Sequence, residues 1–272
     1  MTAHPTMTDL TALDRYRARA TAAGMFLHEA AADDLQDRLG MVNKSFRQGV
    51  VVSGFPDFWA ARFPELEMLA AQETLALEPT SQDLVIHAMA LHWANDPVGQ
   101  LIQCRRALRP DGLMLSVGFG GQTLTELRAC LGQAEAEVRG GMSPRVAPMA
   151  DLRDMGALLQ RAGFALPVAD SVTILVEYSD AWHLMRDLRA MGETNALEAR
   201  LRRATARSVL THAAELYQSH FAKDTGRITA TFELVFLAGW APDASQQKPL
   251  RPGSARQSLA AALSTDETKL PI

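Results

Sequence analysis

Several groups of residues in this 272-residue chain have types and spacing that bear on chemistry. His87 and His92 stand five apart, in and just after an apolar run. They therefore point to opposite faces and do not make the helical i, i+4 pair from which zinc sites are built. His92 and Trp93 lie just beyond that run, at the edge a ligand would approach. They read either as pocket wall and substrate contact, or as a tryptophan packed under a cover beside a hydrogen-bonded histidine. Glu193, Thr194 and Asn195 follow Gly192, and polar side chains on such a loop can aim back into a cleft. The stretch Val52-Ser53-Gly54-Phe55-Pro56-Asp57-Phe58-Trp59 also follows an apolar run. It holds one glycine, where a nucleotide-binding turn uses several so that backbone can approach the cofactor. Gly118-Phe119-Gly120-Gly121 lacks the Gly-x-Gly-x-x-Gly spacing and reads as a sharp turn at a strand end. Cys104 and Cys130 fall inside helical patterns with no Cys-x-x-Cys partner and read as small core residues. Arg186, Asp187 and Arg189 read as a solvated charged face. No Ser-His-Asp set or carboxylate pair can be argued from spacing.

The elements that must position these residues follow from pattern. Residues 83–88 are short and apolar, which suits a strand buried on both faces of a parallel sheet. Asp96 and Pro97 open a helix, one as cap and one at the first turn, and Arg109-Pro110-Asp111-Gly112 stops it before a second strand at 113–119. A crossover of this kind is right-handed. Before this unit come two helical patterns at 10–23 and 26–42, a strand at 50–53, a short helix at 59–63, and strands at 65–69 and 75–77. After it, Thr123-Leu124-Thr125-Glu126 has capping-box spacing for a helix to about 138, and 151–162 is a further amphipathic helix. The β-branched runs 172–178 and 228–240 are the last strands, with helical patterns at 180–191 and 204–222 between them.

The order strand, helix, strand around 83–121 resembles the class I S-adenosylmethionine-dependent methyltransferases. Narrower segments, Ala90-Leu91-His92-Trp93-Ala94-Asn95-Asp96, Leu108 to Gly112, Phe119 to Arg128 and Asp187 to Asn195, resemble the methyltransferase-like complex I assembly factors. The malonyl-carrier-protein methyltransferases of biotin synthesis are more distant. The resemblance implies an α/β fold of Rossmann-like type: seven mostly parallel strands, helices on both faces, and a helical insertion between strands six and seven that caps the pocket. It implies S-adenosylmethionine as cofactor, with Gly54, Glu67, Ala88 and Met89 in its site, and His92, Trp93, Glu193, Thr194 and Asn195 along a substrate or partner cleft. Glu67 reads more readily as a solvent-exposed strand residue. The relatives carry Asp-x-Gly-x-Gly-x-Gly after the first strand. Here Val52 replaces the carboxylate, Pro56 the second glycine and Phe58 the third, which removes an acceptor and an amide donor and fills space. The activity that the resemblance implies is modification of a protein substrate in complex I assembly, by methyl transfer or arginine hydroxylation, and the altered turn stands against it. The competing reading is a non-catalytic assembly or binding module.

Composition sets outer limits. At 47% hydrophobic residues the chain can bury a substantial core, and one domain with an insertion is expected. Residues 1–48 are N-terminal helices, 49–241 the main domain with a helical lid at about 180–225, and 242–272 a surface tail, with Ser254 capping a last helix to about 263. A net charge of −4 and a pI near 6.0 give no electrostatic footprint for nucleic acid or an anionic membrane. A protein or small-molecule partner is expected instead. No apolar run is long enough to span a membrane. Arg15, Arg17 and Arg19 look like a mitochondrial presequence, but Asp9, Asp14 and Glu29 intrude where such peptides lack acids, so a cytoplasmic protein is expected.

Overall fold

Alternation within the strands feeds two cores at once. In the computed structural model, which describes residues 6–247, Val51 joins one apolar cluster while Val50 and Val52 join a second on the opposite face. The same division runs through Leu84 and Ile86 against Val85, and through Leu234 and Phe236 against Val235 and Leu237. Burial on both faces is what continuous apolar strands predict.

The six strands among the described residues are β1 (Gly49–Ser53), β2 (Glu67–Ala70), β3 (Gln82–Ala88), β4 (Leu108–Phe119), β5 (Ala165–Tyr178) and β6 (Ile228–Trp240). Their order is β2-β1-β3-β4-β6-β5. β2, β1, β3 and β4 are mutually parallel, and β6 runs antiparallel to both β4 and β5. Among the described residues eight α-helices accompany them: α1 (Leu10–Arg17), α2 (Phe26–Met41), α3 (Pro56–Arg62), α4 (Pro97–Ala107), α5 (Thr125–Arg139), α6 (Leu152–Arg161), α7 (Ala181–Ala190) and α8 (Arg207–Phe221). The buried residues of α2, α5, α7 and α8 join the first cluster, and those of α4 and α6 the second. α7 and α8 lie between β5 and β6.

Three sequence expectations need correction. Residues 75–77 are not a strand: the Leu75 amide is bonded to the Gln103 side chain at 2.8 Å and the Leu77 amide turns back to the Leu75 carbonyl. A backbone so engaged cannot extend a ladder, and the sheet has six strands here rather than seven. The capping box also fails. Thr123 instead bridges to β6, accepting from the Glu233 amide at 3.0 Å, while Leu124 precedes α5 at φ +55° with no side-chain cap. Glu126 bonds the Thr231 hydroxyl. Finally, the Pro110-Asp111-Gly112 turn lies within β4 as a bulge: Leu108 pairs with Gln82 and Leu113 with Leu84, so one strand advances five residues while the other advances two. Asp96 does cap α4, accepting from the Gly99 amide at 2.8 Å. Ser254 and its helix lie outside the described residues.

Candidate functional site

The carboxyl ends of β1, β3 and β4 sit beside one another, because Ser53 pairs with Ala88 and Ala88 with Val117. This is the edge where open α/β sheets take ligands. Two hollows open along it. The outer one, about 1080 Å³, is lined by Ser53 to Phe58 after β1, by Ala70 to Thr74 after β2, and by α1 and the turn following it. The inner one, about 290 Å³, is lined by Trp93, Phe119, the Arg145–Ala147 loop, α7 and Glu193 to Asn195.

α1 roofs the outer cleft because its flanks are clasped. Asn95 Oδ1 accepts from the Met7 and Thr8 amides, both at 2.8 Å. Thr8 bridges to Leu197, and Asp9 is held by Arg200 at 2.7 Å. The Arg200 guanidinium, with the Ala12 amide, lowers the Asp9 carboxyl to about 2. On this base Arg17, one turn beyond buried Leu13, turns inward. A Cβ on Gly54 would overlap its guanidinium, which also lies 5.6 Å from the Phe55 ring centre. Arg17 Nε and Nη2 are buried with no hydrogen-bond partner. Burial lowers its pKa, opposed by the charges of Glu193 and Asp14.

Glu193 is the centre of the inner wall, its side chain 5% exposed. Oε2 accepts from Trp93 Nε1 at 2.6 Å and lies 3.4 Å from His92 Nε2. Oε1 has no partner. Burial pushes this carboxyl up, but the His92 ring, Arg17 and the Trp93 donor outweigh it and hold the group below its usual range. Gly192 makes the turn possible at φ +83°, where a Cβ would press on Phe55 Cζ and the Arg17 Cα. His28 and His87 stand behind this wall, fully buried, each lowered to about 4 mainly by desolvation. His87 Nε2 meets Gln100 Oε1 at 2.6 Å, whereas neither His28 nitrogen has a partner. Among the described residues no three His, Cys, Asp or Glu side chains converge as a metal site.

His92, Trp93 and Glu193 thus come together in one hydrogen-bonded group, and Thr194 lines the same pocket. Asn195 lines it too, but its side chain is spent on structure, donating to the Pro144 carbonyl at 2.8 Å and accepting from the Leu197 amide. Of the expected cofactor residues, Gly54 lines the outer cleft. Glu67 does not reach it: paired with Val50, it is exposed at the start of β2, three residues short of the carboxyl end. Gln72 and Glu73 hold that place instead. Ala88 and Met89 are fully buried. Arg17 went unnoticed as a site residue. Its spacing from Leu10 and Leu13 on α1, seven and four residues, was the available signal.

For a nucleoside bearing an amino-acid end, the outer cleft has room, a bare Gly54 and an unpartnered guanidinium suited to a carboxylate. Against these, Pro56 has no amide to donate, and Val52 is buried in the second core. The residues present fit such a group at its amino-acid end, with side chains in place of a glycine-turn amide.

Residues 55–116 match the family model described as Methyltransferase domain. The chain is 34% identical to Arginine-hydroxylase NDUFAF5, mitochondrial, of Danio rerio over 220 residues, 81% of this chain and 68% of that one. It is 41% identical to the protein of the same name from Dictyostelium discoideum over 182 residues, 66% of this chain but only 42% of that one. A Malonyl-[acyl-carrier protein] O-methyltransferase of Laribacter hongkongensis is 37% identical over 193 residues, 71% of this chain and 62% of that one. With its parallel strands β1 to β4, its ligand edge and 34% identity over 68% of the Danio rerio protein, the chain belongs to the arginine-hydroxylase NDUFAF5 family of class I methyltransferase-like proteins.

Proposed function

We propose that the chain binds S-adenosylmethionine in the outer cleft and modifies an arginine side chain of a protein substrate, presented through the inner pocket, during complex I assembly in the cytoplasm. The observation that carries this reading is the free Oε1 of Glu193, a buried carboxylate oxygen on the wall of a pocket lined by Leu127, Leu131, Met185 and Phe232. The pocket's cations, Arg145, bound to Glu135, and Arg189, make no hydrogen bond to it, and it calls for a cation from the ligand. A guanidinium supplies one, and the relatives' name includes arginine. Trp93 and His92 hold the carboxylate still, Asn195 ties the pocket's loops together, and residues 180–225 act as the lid over the body formed by 49–241. In methyl transfer, S-adenosylmethionine would supply the methyl group when bound. Arg17, Gln72 and Glu73 are the side chains to hold it. α1 and the turn after it complete the cleft.

The second reading, a non-catalytic assembly or binding module, is favoured by Pro56, Val52 and Phe58 in the glycine turn. Thermal unfolding separates the two. A ligand at a hundred times its dissociation constant adds about 2.7 kcal/mol. Millimolar S-adenosylmethionine should therefore raise the melting temperature, and an unmoved melting temperature would leave only the module. Glu193→Gln should weaken binding of an arginine-containing substrate peptide while sparing that of the nucleoside. Equal peptide binding by both proteins would remove arginine from the proposal.

A further inference from the structure

Two opposite charges with unused hydrogen-bonding capacity stand in one buried wall between the two hollows. Arg17 faces the outer cleft with Nε and Nη2 unpartnered, and Glu193 faces the inner pocket with Oε1 unpartnered. Gly192 is packed against Phe55 and the Arg17 backbone, so Glu193 begins where Arg17 is anchored. A small gap is lined by both Arg17, of the outer cleft, and Trp93, of the inner pocket. An arginine does not escape its desolvation by losing a proton. It needs an anion, and the ordinary source, a bonded protein carboxylate, is missing at both nitrogens.

Resting on the cofactor reading above, we infer that Arg17 is the receptor for a ligand carboxylate in the outer cleft, and that filling it strengthens cation binding by Glu193 in the inner pocket. The physical reason is charge bookkeeping across a poorly screened wall. With the cleft empty, the Arg17 charge partly offsets that of Glu193, and a cation entering the inner pocket is repelled by Arg17. A carboxylate bound to Arg17 cancels that repulsion and leaves Glu193 with the His92 ring and the Trp93 donor as its remaining partners, and so with more of its charge for an entering cation. The coupling is therefore positive, and it is reciprocal by necessity. A nucleoside without the amino-acid end would occupy the same cleft without producing it.

The test uses the whole chain and calorimetric binding. The ligands are S-adenosylhomocysteine, 5′-methylthioadenosine (which lacks the amino acid) and methylguanidine as the cation probe. The native protein should prefer S-adenosylhomocysteine over 5′-methylthioadenosine by tenfold or more. S-adenosylhomocysteine alone should tighten methylguanidine binding, by roughly the fivefold or more typical of coupled sites. Arg17→Met should abolish both the preference and the coupling, and Arg17→Lys should keep part of each. Equal nucleoside affinities in the native protein would overturn the inference without any variant. So would methylguanidine affinity indifferent to S-adenosylhomocysteine, or a preference that survives in Arg17→Met. If neither nucleoside binds, the cofactor reading fails by itself, and the carboxylate receptor is judged with free methionine against methioninol. Binding of methionine alone, lost in Arg17→Met, sustains the receptor. No difference between the two overturns it.

Discussion

His28 shows what a buried side chain can cost when its chemistry goes unused. It is fully buried, its ring edges meet Phe55, Phe58 and Trp59, and neither nitrogen finds a partner. Replacing such a group by an apolar one of similar size removes an unsatisfied polar burial that costs about 1–3 kcal/mol. His28→Leu should therefore raise the urea midpoint at pH 7 without altering the cooperativity of unfolding. A lower midpoint would mean that the imidazole has a bonded role. Legibility at this scale was uneven. Glu193, His92 and Trp93 were found because loops and strand ends at a sheet edge are a short catalogue of places. That they would meet through Glu193 could not be read, since Trp93 and Glu193 are a hundred residues apart and only the turn at Gly192 joins them. Arg17 was legible in principle through its spacing from Leu13, but with its neighbours Arg15 and Arg19 it looks like part of a presequence.

Among the elements, the 143–147 loop matters most for the inner pocket, and it is held by one acid at the end of a helix. Glu135 of α5, 1% exposed, accepts from Arg145 through both oxygens, from Arg139, and from the Ser143 hydroxyl and amide. These partners, Arg145 foremost, outweigh desolvation and hold the carboxyl at about 2. Arg145 continues to Thr205, so the same acid reaches the segment before α8. Removing one partner of a buried pair leaves the other uncompensated, at about 3–5 kcal/mol. Glu135→Leu should lower stability by that order and loosen the pocket loop, seen as faster amide exchange at residues 143–147. Unchanged stability would show that solvent reaches Arg145 freely. Element existence was well marked in the sequence, because a parallel strand and its crossover helix must each be apolar in a recognisable period. The failures came where side chains compete for backbone. Gln103 takes the Leu75 amide that a third strand would need, and β6 takes the Thr123 hydroxyl that a capping box would need. Neither Gln103 nor β6 is local to the segment it alters, so no pattern within that segment could announce it.

For the molecule as a whole, the direction of the shifted groups predicts how the fold responds to acid. His28 and His87 titrate near 4 in the folded state against about 6.5 in an unfolded chain. The unfolded state thus binds more protons across that window, so stability is fully present above pH 6.5 and declines as pH falls toward 4. A difference of that size is worth on the order of a few kcal/mol per group. A second decline follows at lower pH, because Asp9 and Glu135 have folded values of about 2 and ordinary unfolded ones. Their contribution is present above about pH 4.5 and lost as pH drops toward 2. His212 acts oppositely. Glu137 raises its pKa, so the clasp between α5 and α8 is complete below pH 6.5 and lost as pH rises through the folded value. Being solvent-exposed, it moves the profile little. The fold should therefore be most stable near neutral pH, lose stability in two stages on acidification, and begin the first between pH 6.5 and 5, before any carboxylate titrates. Urea midpoints measured at each pH unit from 8 to 3 would trace this curve, and His28→Leu should flatten the first stage without touching the second. A native midpoint constant from pH 7 to 5 would mean that His28 and His87 titrate in the fold as they do in the unfolded chain. The buried wall behind Glu193 would then gain positive charge only as pH falls through about 6.5.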